Sequence, residues 1–176
     1  MTFSYSLNTL YGRSKRTGAL TLAVLGVLAT AGSLQSTAAQ TAPPVQACHV
    51  NVYAKDPDPK GLNVRRGPGS EQAVAAVITD SDARFEVTGA SGKWLRIRQA
   101  AGPDGTVYFK GEGWVFASLT GVRAIKAQSL ATGKIAADEE ATVQGCEGER
   151  VQIQVKKNTG WLAAGNYCAN PVTGCV

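Results

Sequence analysis

Short runs in which apolar and polar residues alternate follow one another from Cys48 onwards. Turn-forming stretches such as Gly67-Pro68-Gly69 and Gly102-Pro103-Asp104-Gly105 separate them. The runs cover residues 50–53, 62–64, 85–87, 94–97 and 107–116. No stretch combines the 3.6-residue repeat and the length of an amphipathic helix. Many short strands joined by Gly and Pro turns predict an all-β fold, either a barrel or a sandwich.

The N-terminal segment has the order of an export signal. The basic run Arg13-Ser14-Lys15-Arg16 precedes an apolar stretch over residues 19–31, and small residues follow at 36–39. Because a membrane-spanning helix needs about twenty apolar residues, this stretch is too short to be one. We therefore expect residues 1–39 to be a cleaved signal peptide, and the product to be exported, periplasmic or secreted, with no membrane span. An uncleaved anchor is the alternative.

Cleavage changes the apparent charge of the protein. Of the 18 Lys and Arg residues, three lie in the predicted signal, so 15 remain against 13 Asp and Glu residues, a net charge of +2 on 137 residues. Residues 48–120 and 121–176 carry +1 each. So weak a field argues against nucleic acid as a partner. Residues 40–47, a Pro-containing coil without periodicity, are predicted to be a flexible linker.

Four cysteines, an even number, remain in a chain expected to meet an oxidising compartment: Cys48, Cys146, Cys168 and Cys175. Two structural disulfides are therefore predicted. A Cys168–Cys175 bridge would close a short C-terminal loop, a Cys48–Cys146 bridge would tie the two halves together, and Cys146 with either of the last two would staple only the second half. We favour at least one bridge within the C-terminal half.

The chain repeats itself. Residues 87–97 align without gaps on residues 143–153, and Gly113-Trp114-Val115 corresponds to Gly160-Trp161-Leu162. Two copies of one small β unit are therefore expected, at 48–120 and 121–176. In the second copy Arg150 replaces Trp94, which predicts a less stable unit that disulfides would reinforce.

The first copy resembles a bacterial SH3-like (SH3b) domain. The resemblance rests on Leu62-Asn63-Val64-Arg65, Gly67-Pro68-Gly69, Gly92-Lys93-Trp94 and Gly113-Trp114-Val115, in that order. It covers about 60 residues of the first copy and little of the second, which is degenerate. The resemblance implies two small SH3-like β-barrels in tandem after the signal peptide.

The motifs have structural roles before functional ones. Leu62 and Val64 share one face of a strand, with Asn63 and Arg65 on the other. Gly67 and Gly69 are expected to adopt positive φ, and Trp94 and Trp114 to anchor the core.

A groove between the Gly67-Pro68-Gly69 turn and the long hairpin at 99–109 is the predicted ligand site. Its predicted residues are Asn63, Arg65, Arg66, Pro68, Tyr108 and Phe109. A basic and aromatic face is a second possibility, the alternative being an ordinary solvated surface. That face comprises Arg65, Arg66, Arg84, Lys93, Arg96, Arg98, Phe85 and Trp94.

No residue pattern indicates catalysis, a cofactor or a metal. Cys48 and His49 are neighbours in an extended run, so their side chains point to opposite faces. The only histidine is His49, and no Cys-x-x-Cys is present. The acidic cluster at 138–140 falls in a predicted turn, and Gly89-x-x-Gly92-Lys93 lacks the spacing of a phosphate loop.

The sequence therefore predicts an exported, monomeric, non-enzymatic binding module. The resemblance implies peptidoglycan peptides or other cell-envelope material as the ligand. Alternatives are a protein–protein interaction module for another exported protein and, less favoured, a cell-wall hydrolase or its accessory.

Overall fold

The computed structural model describes residues 43–172 and residue 175. The predicted signal peptide, residues 1–39, and the first three residues of the predicted linker lie outside this part. Within it the regular structure is thirteen β-strands and one 3-10 turn, Ala117–Leu119. The predicted all-β class is confirmed. In the same residues, no helix is long and apolar enough to cross a membrane.

Each of the five predicted runs lies within one of these strands. The strands are β1 (Gln46–Ala54), β2 (Leu62–Arg65), β3 (Val74–Ile78), β4 (Arg84–Ser91), β5 (Trp94–Ala101), β6 (Val107–Phe116), β7 (Thr120–Ala124), β8 (Gln128–Leu130), β9 (Gly133–Ile135), β10 (Glu140–Glu147), β11 (Arg150–Val155), β12 (Asn158–Leu162) and β13 (Tyr167–Cys168).

Eleven strands pair into one antiparallel sheet, in the order β12-β11-β10-β7-β1-β4-β5-β6-β2-β3, with β13 paired to β7. β8 and β9 form a separate two-stranded ribbon. The prediction of two closed barrels is wrong, because the main sheet runs from β12 to β3 without closing on itself. Buried residues of both halves, such as Phe85 and Ile153, belong to a single hydrophobic core.

The two halves join where β1 meets β7. Tyr53 pairs with Gly121 and Ala54 with Thr120 in antiparallel register. β7 also pairs through its other edge with β10, so it belongs to the sheet on both sides. The predicted domain boundary between residues 120 and 121 therefore falls inside a strand, and the described residues form one compact unit.

The internal repeat has a counterpart in strand register. In the first hairpin Val87 pairs with Ile97 and, after an irregularity, Ala90 pairs with Leu95. The second hairpin shows the same pairs 56 residues later, Val143 with Ile153 and Cys146 with Val151, around an irregularity at the same place. Each hairpin turns at a glycine with φ 57°, Gly92 and Gly148.

The first and last strands of each half repeat as well. Val52 pairs with Phe85 in the first half, as Val122 pairs with Ala141 in the second. At the other side of each hairpin, Ile97 pairs with Gly113 and Ile153 with Gly160. The sequence repeat thus corresponds to two four-stranded units, β1-β4-β5-β6 and β7-β10-β11-β12.

Part of the predicted linker belongs to the sheet. β1 begins at Gln46, and its pairing partner there is Ala90. Just before β1, the Ser91 hydroxyl donates a 2.5 Å hydrogen bond to the carbonyl oxygen of Pro43. Residues 46–47 of the predicted linker therefore belong to β1, Pro43 is hydrogen-bonded to Ser91, and the flexibility of the linker stays a prediction.

Two disulfides are present. Cys48 bonds to Cys146, which links β1 to β10 over a sequence separation of 98 residues. Cys168 bonds to Cys175 and closes the short C-terminal loop. One of the three open pairings is thereby selected, with one bridge between the halves and one within the C-terminal half, as favoured.

Candidate ligand-binding groove

A groove of about 500 Å³ opens on the first half of the sheet. One wall comes from β2 and the loop that follows it, and the other comes from the start of β5, the end of β6 and the 3-10 turn. Its lining residues are Asn63, Arg65, Gly69, Ser70, Glu71, Trp94, Phe116 and Leu119. The groove therefore combines an apolar side with a polar, charged rim.

The apolar side is built on a pair of aromatic rings. Trp94 and Phe116 are directly opposite each other on β5 and β6. Their ring centroids lie 5.3 Å apart at 64°, an edge-to-face contact of the kind that aromatic quadrupoles favour. Both rings, and Leu119 beside them, are only half-buried. They keep apolar surface available to a ligand.

Strand alternation explains why these rings face the groove. Leu95 and Val115, the next residues along β5 and β6, are completely buried, so Trp94 and Phe116 project to the other face. The expectation that Trp94 and Trp114 both anchor the core is wrong for Trp94; Trp114 is buried, at 4% exposed, but lies outside the main hydrophobic core cluster. Trp94 belongs to the surface groove.

The Gly67-Pro68-Gly69 turn shapes the opposite wall. Gly69 N–H donates to Gly67 O at 3.0 Å, and Gln72 N–H donates back to Gly69 O at 3.3 Å. Neither glycine has positive φ, so that expectation is wrong. The absence of a side chain at Gly69 instead leaves space for the Glu71 carboxylate, because an added Cβ would lie 2.0 Å from Oε1 of Glu71.

Opposite charges occupy the rim. Arg65 donates from Nη1 to the carbonyl oxygen of Gln72 at 2.7 Å, which holds the guanidinium over the loop. Glu71 accepts a 3.0 Å hydrogen bond from the Gln72 side-chain amide. Hydrogen bonds from its own backbone N–H and from Gln72 lower the pKa of Glu71, so its carboxylate is charged at neutral pH.

Only two of the six predicted ligand residues line this groove. Asn63 and Arg65 line the groove. Arg66 is exposed and Pro68 half-buried in the adjoining turn, but neither lines the groove. Tyr108 and Phe109 do not line it, so this groove is not bounded by the long hairpin.

Local contacts direct that hairpin elsewhere. The Tyr108 hydroxyl donates a 2.6 Å hydrogen bond to Oδ2 of Asp80, which raises the pKa of Tyr108 to about 12. Gly102 lies under the same contact, because an added Cβ would come within 2.8 Å of the Tyr108 hydroxyl. Phe109 packs against Gly113. The hairpin therefore lies against the loop between β3 and β4.

Sequence reasoning missed Ser70, Glu71, Trp94, Phe116 and Leu119 as groove residues. A signal was available for the two aromatic residues. Each precedes or follows a buried aliphatic residue in its strand, so period-two alternation alone places them on the outer face. The two loop residues carried no such signal, because loop conformation depends on hydrogen bonds that alternation does not encode.

Two of the six cations on the predicted basic face, Arg96 and Arg98, form ion pairs. Arg98 pairs with Glu86, and Arg96 lies 3.8 Å from Glu112 and donates to Thr88 Oγ1 at 3.1 Å. Phe85 is completely buried and adds nothing to a surface. This part of the sheet has the character of a solvated protein surface.

The residues weighed as catalytic candidates have structural partners. Asp138 lies 3.8 Å from Arg123, Glu139 lies 3.2 Å from Lys156, and Glu140 pairs with Lys55. Cys48 is bonded to Cys146 rather than adjacent to a base. Across residues 43–172 and 175, no group of three or more His, Cys, Asp or Glu side chains is placed to hold a metal ion.

Comparison with protein-family models finds a match for part of this chain. The family model of the bacterial SH3 domain matches residues 60–120, which run from just before β2 to the first residue of β7. The resemblance expected for the first copy is therefore confirmed, and the match does not extend into the second copy. A search of curated proteins finds no match to the chain.

Proposed function

Because residues 60–120 form a bacterial SH3 domain, a family of binding modules, we propose that this protein is exported and binds peptides of the cell envelope without catalysing a reaction. The groove formed by Trp94, Phe116, Arg65 and Glu71 is the proposed binding site. The observation that carries this proposal is the half-exposed aromatic pair beside a charged rim.

The groove suits a short peptide. Its volume of about 500 Å³ lies within the range of small-ligand sites. Aromatic faces bind aliphatic side chains, while the exposed amide of Asn63 can both donate and accept hydrogen bonds to a peptide backbone. A ligand of mixed apolar and polar character therefore fits better than a purely charged polymer.

Export is supported by the two disulfides, because such bonds persist in oxidising compartments and are rare in the cytoplasm. The signal-like order of residues 1–39 points the same way. The non-catalytic role is supported by the ion pairs of the acidic residues at 138–140, which use these side chains in folding.

Binding to purified cell-wall sacculi at moderate salt tests the proposal. The wild-type protein should be retained, and Trp94→Ala should lose retention. Trp161→Ala is the matched control, because Trp161 is 40% exposed on β12, outside the groove. Absence of wild-type retention above a protein of equal charge, or equal loss in both variants, would refute binding through this groove.

A protein partner is the second candidate, and β3 is the observation that favours it. This strand ends the main sheet, and its side chains Val74 and Val77 are 45% and 48% exposed. Residues 72–79 contain no charge, whereas free edges are usually protected by charged residues or proline. An extended segment of another exported protein could pair with this edge.

Cross-linking in intact cells separates the two candidates. A protein partner gives a discrete adduct that Val77→Lys abolishes, whereas a polymer ligand gives none. Val107→Lys is the control, because Val107 is 51% exposed on the hairpin strand β6. A discrete adduct that survives Val77→Lys would exclude pairing at β3.

A further inference from the structure

Two opposite charges lie on the rim of the groove. Arg65 and Glu71 both line it, and Arg65 acts on Glu71 electrostatically. Neither takes part in any of the salt bridges of the described residues, for which the N–O distance is 4.0 Å or less. The two charges therefore face the groove without neutralising each other in a direct ion pair.

Both side chains retain hydrogen-bonding capacity. Arg65 uses Nη1 for the carbonyl of Gln72, and a guanidinium has five N–H donors in all. Glu71 accepts from Gln72 through Oε1, and a carboxylate has about four acceptor positions. The existing hydrogen bonds orient the charged groups, which reduces the entropy that a ligand contact would otherwise cost.

Apolar surface completes the pattern. Trp94, Phe116 and Leu119 line the same groove as the two charges. A ligand that satisfies all of these groups carries a carboxylate, a primary amine and a hydrocarbon segment between them. A peptide with one charge blocked leaves Arg65 or Glu71 partly desolvated and unpaired, which is costly.

We propose that the groove selects short zwitterionic peptides, with a free carboxylate bound by Arg65, a free amine bound by Glu71, and the intervening hydrocarbon packed on Trp94 and Phe116. This inference rests on the proposed peptide-binding function and specifies its ligand class. Neutral peptides and purely anionic polymers are bound more weakly.

The test uses three forms of one tripeptide, Nα-acetyl-Lys-Ala-Ala: the free acid, its C-terminal amide, and the acid with the lysine side chain acetylated. Each is titrated into the purified, disulfide-oxidised protein, and binding is followed at the indole N–H signal of Trp94 by NMR. The free acid should bind about tenfold more tightly than either blocked form.

Variants assign each preference to its residue. Arg65→Gln should abolish the preference for acid over amide and leave the preference for the free amine. Glu71→Gln should do the reverse. Arg66→Gln and Glu149→Gln are matched controls, because both residues are exposed and lie outside the groove, and both preferences should persist. Arg65→Lys keeps the charge and should keep the acid preference. It therefore separates the effect of the charge from any loss of stability that Arg65→Gln suffers when the hydrogen bond to Gln72 is removed.

Equal affinity for the three peptides, no binding of any of them, or an acid preference that survives Arg65→Gln would overturn the inference. Sacculus retention is scored separately. If sacculi retain the wild type but not Trp94→Ala, while the three peptides bind with equal affinity, the proposed binding through the groove stands and the charge selection fails. If neither sacculi nor peptides bind, both fail.

Discussion

The hydroxyl of Tyr53 donates a 2.8 Å hydrogen bond to Oε1 of Glu140, which joins β1 of the first half to β10 of the second. Lys55 contacts the same carboxylate, with 3.2 Å between Nζ and Oε2. The tyrosine is buried and packs on Gly121, where an added Cβ would lie 2.8 Å from the ring. The seam between the halves therefore contains a polar contact whose geometry specifies one pairing of the two units.

Tyr53→Phe is expected to lower the free energy of unfolding by about 1–2 kcal/mol, because it removes a hydrogen bond to a charged group that keeps some solvent contact. Urea-induced unfolding measures the loss. Tyr108→Phe is the control, since it removes the hydrogen bond to Asp80 from a tyrosine that is 39% exposed, and about 0.5 kcal/mol or less is expected. Equal losses in the two variants would contradict a special role for the seam.

The same carboxylate makes stability depend on pH. Burial raises the pKa of Glu140, but the hydrogen bond from Tyr53 and the charge of Lys55 outweigh it, so the pKa in the folded protein is lowered. Its contribution is complete above the unfolded value of about 4.3, and it is lost as the pH falls through the folded value. The stability difference between wild type and Glu140→Gln should therefore shrink as the pH falls from about 5 through the lowered pKa of the folded protein. A pH-independent difference in urea unfolding would show that Glu140 does not titrate in this way, since the other carboxylates are common to both proteins.

Local features of the fold could be predicted from the sequence, and long-range features could not. The alignment of residues 87–97 on 143–153 predicted two equivalent hairpins, because hairpin register depends on neighbouring residues and a glycine turn. The pairing of Tyr53 with Gly121 was not predictable, because the sequence of a strand does not specify which other strand pairs with its edge. The separation into two barrels was wrong for this reason.

The candidate site was half predicted for a related reason. Alternation in β2 placed Asn63 and Arg65 on the outer face, where they line the groove. Tyr108 was assigned to the same site because its long hairpin was expected to lie beside the Gly67-Pro68-Gly69 turn, but its hydrogen bond to Asp80 holds it elsewhere. Such a contact between side chains 28 residues apart leaves no trace in local periodicity.

Two equivalent glycines should be intolerant of a methyl group. An added Cβ at Gly113 would lie 2.4 Å from Cγ1 of Val64, and one at Gly160 would lie 2.8 Å from the side chain of Leu130. Gly113→Ala is therefore expected to cost about 1–3 kcal/mol of stability through overpacking, and Gly160→Ala a similar amount. Thermal and urea unfolding measure both.

Gly145→Ala is the control for these two variants. Gly145 is also a strand glycine, but its nearest neighbour would be Oε1 of Gln152 at 3.5 Å, an ordinary contact. Little change or a small gain is expected there. If Gly145→Ala is as harmful as Gly113→Ala, the cost comes from the strand backbone rather than from the close packing of Val64 and Leu130.

The two disulfides should contribute unequally to stability. Cys48 and Cys146 are 98 residues apart and Cys168 and Cys175 are seven apart, so the first bridge constrains the unfolded chain far more. Loop-closure entropy gives about 5 kcal/mol for the longer loop and about 2 kcal/mol for the shorter one. The double variant Cys48→Ala/Cys146→Ala should therefore lose more free energy of unfolding than Cys168→Ala/Cys175→Ala, measured in urea without reductant.

The first bridge also spans the seam between the halves. Combined with Tyr53→Phe in a triple variant, its removal should therefore give a loss of free energy that differs from the sum of the two separate losses. Removal of the C-terminal bridge and Tyr53→Phe should be additive. A larger loss from the C-terminal pair would mean that native contacts of its loop, rather than chain entropy, determine what the bridges contribute.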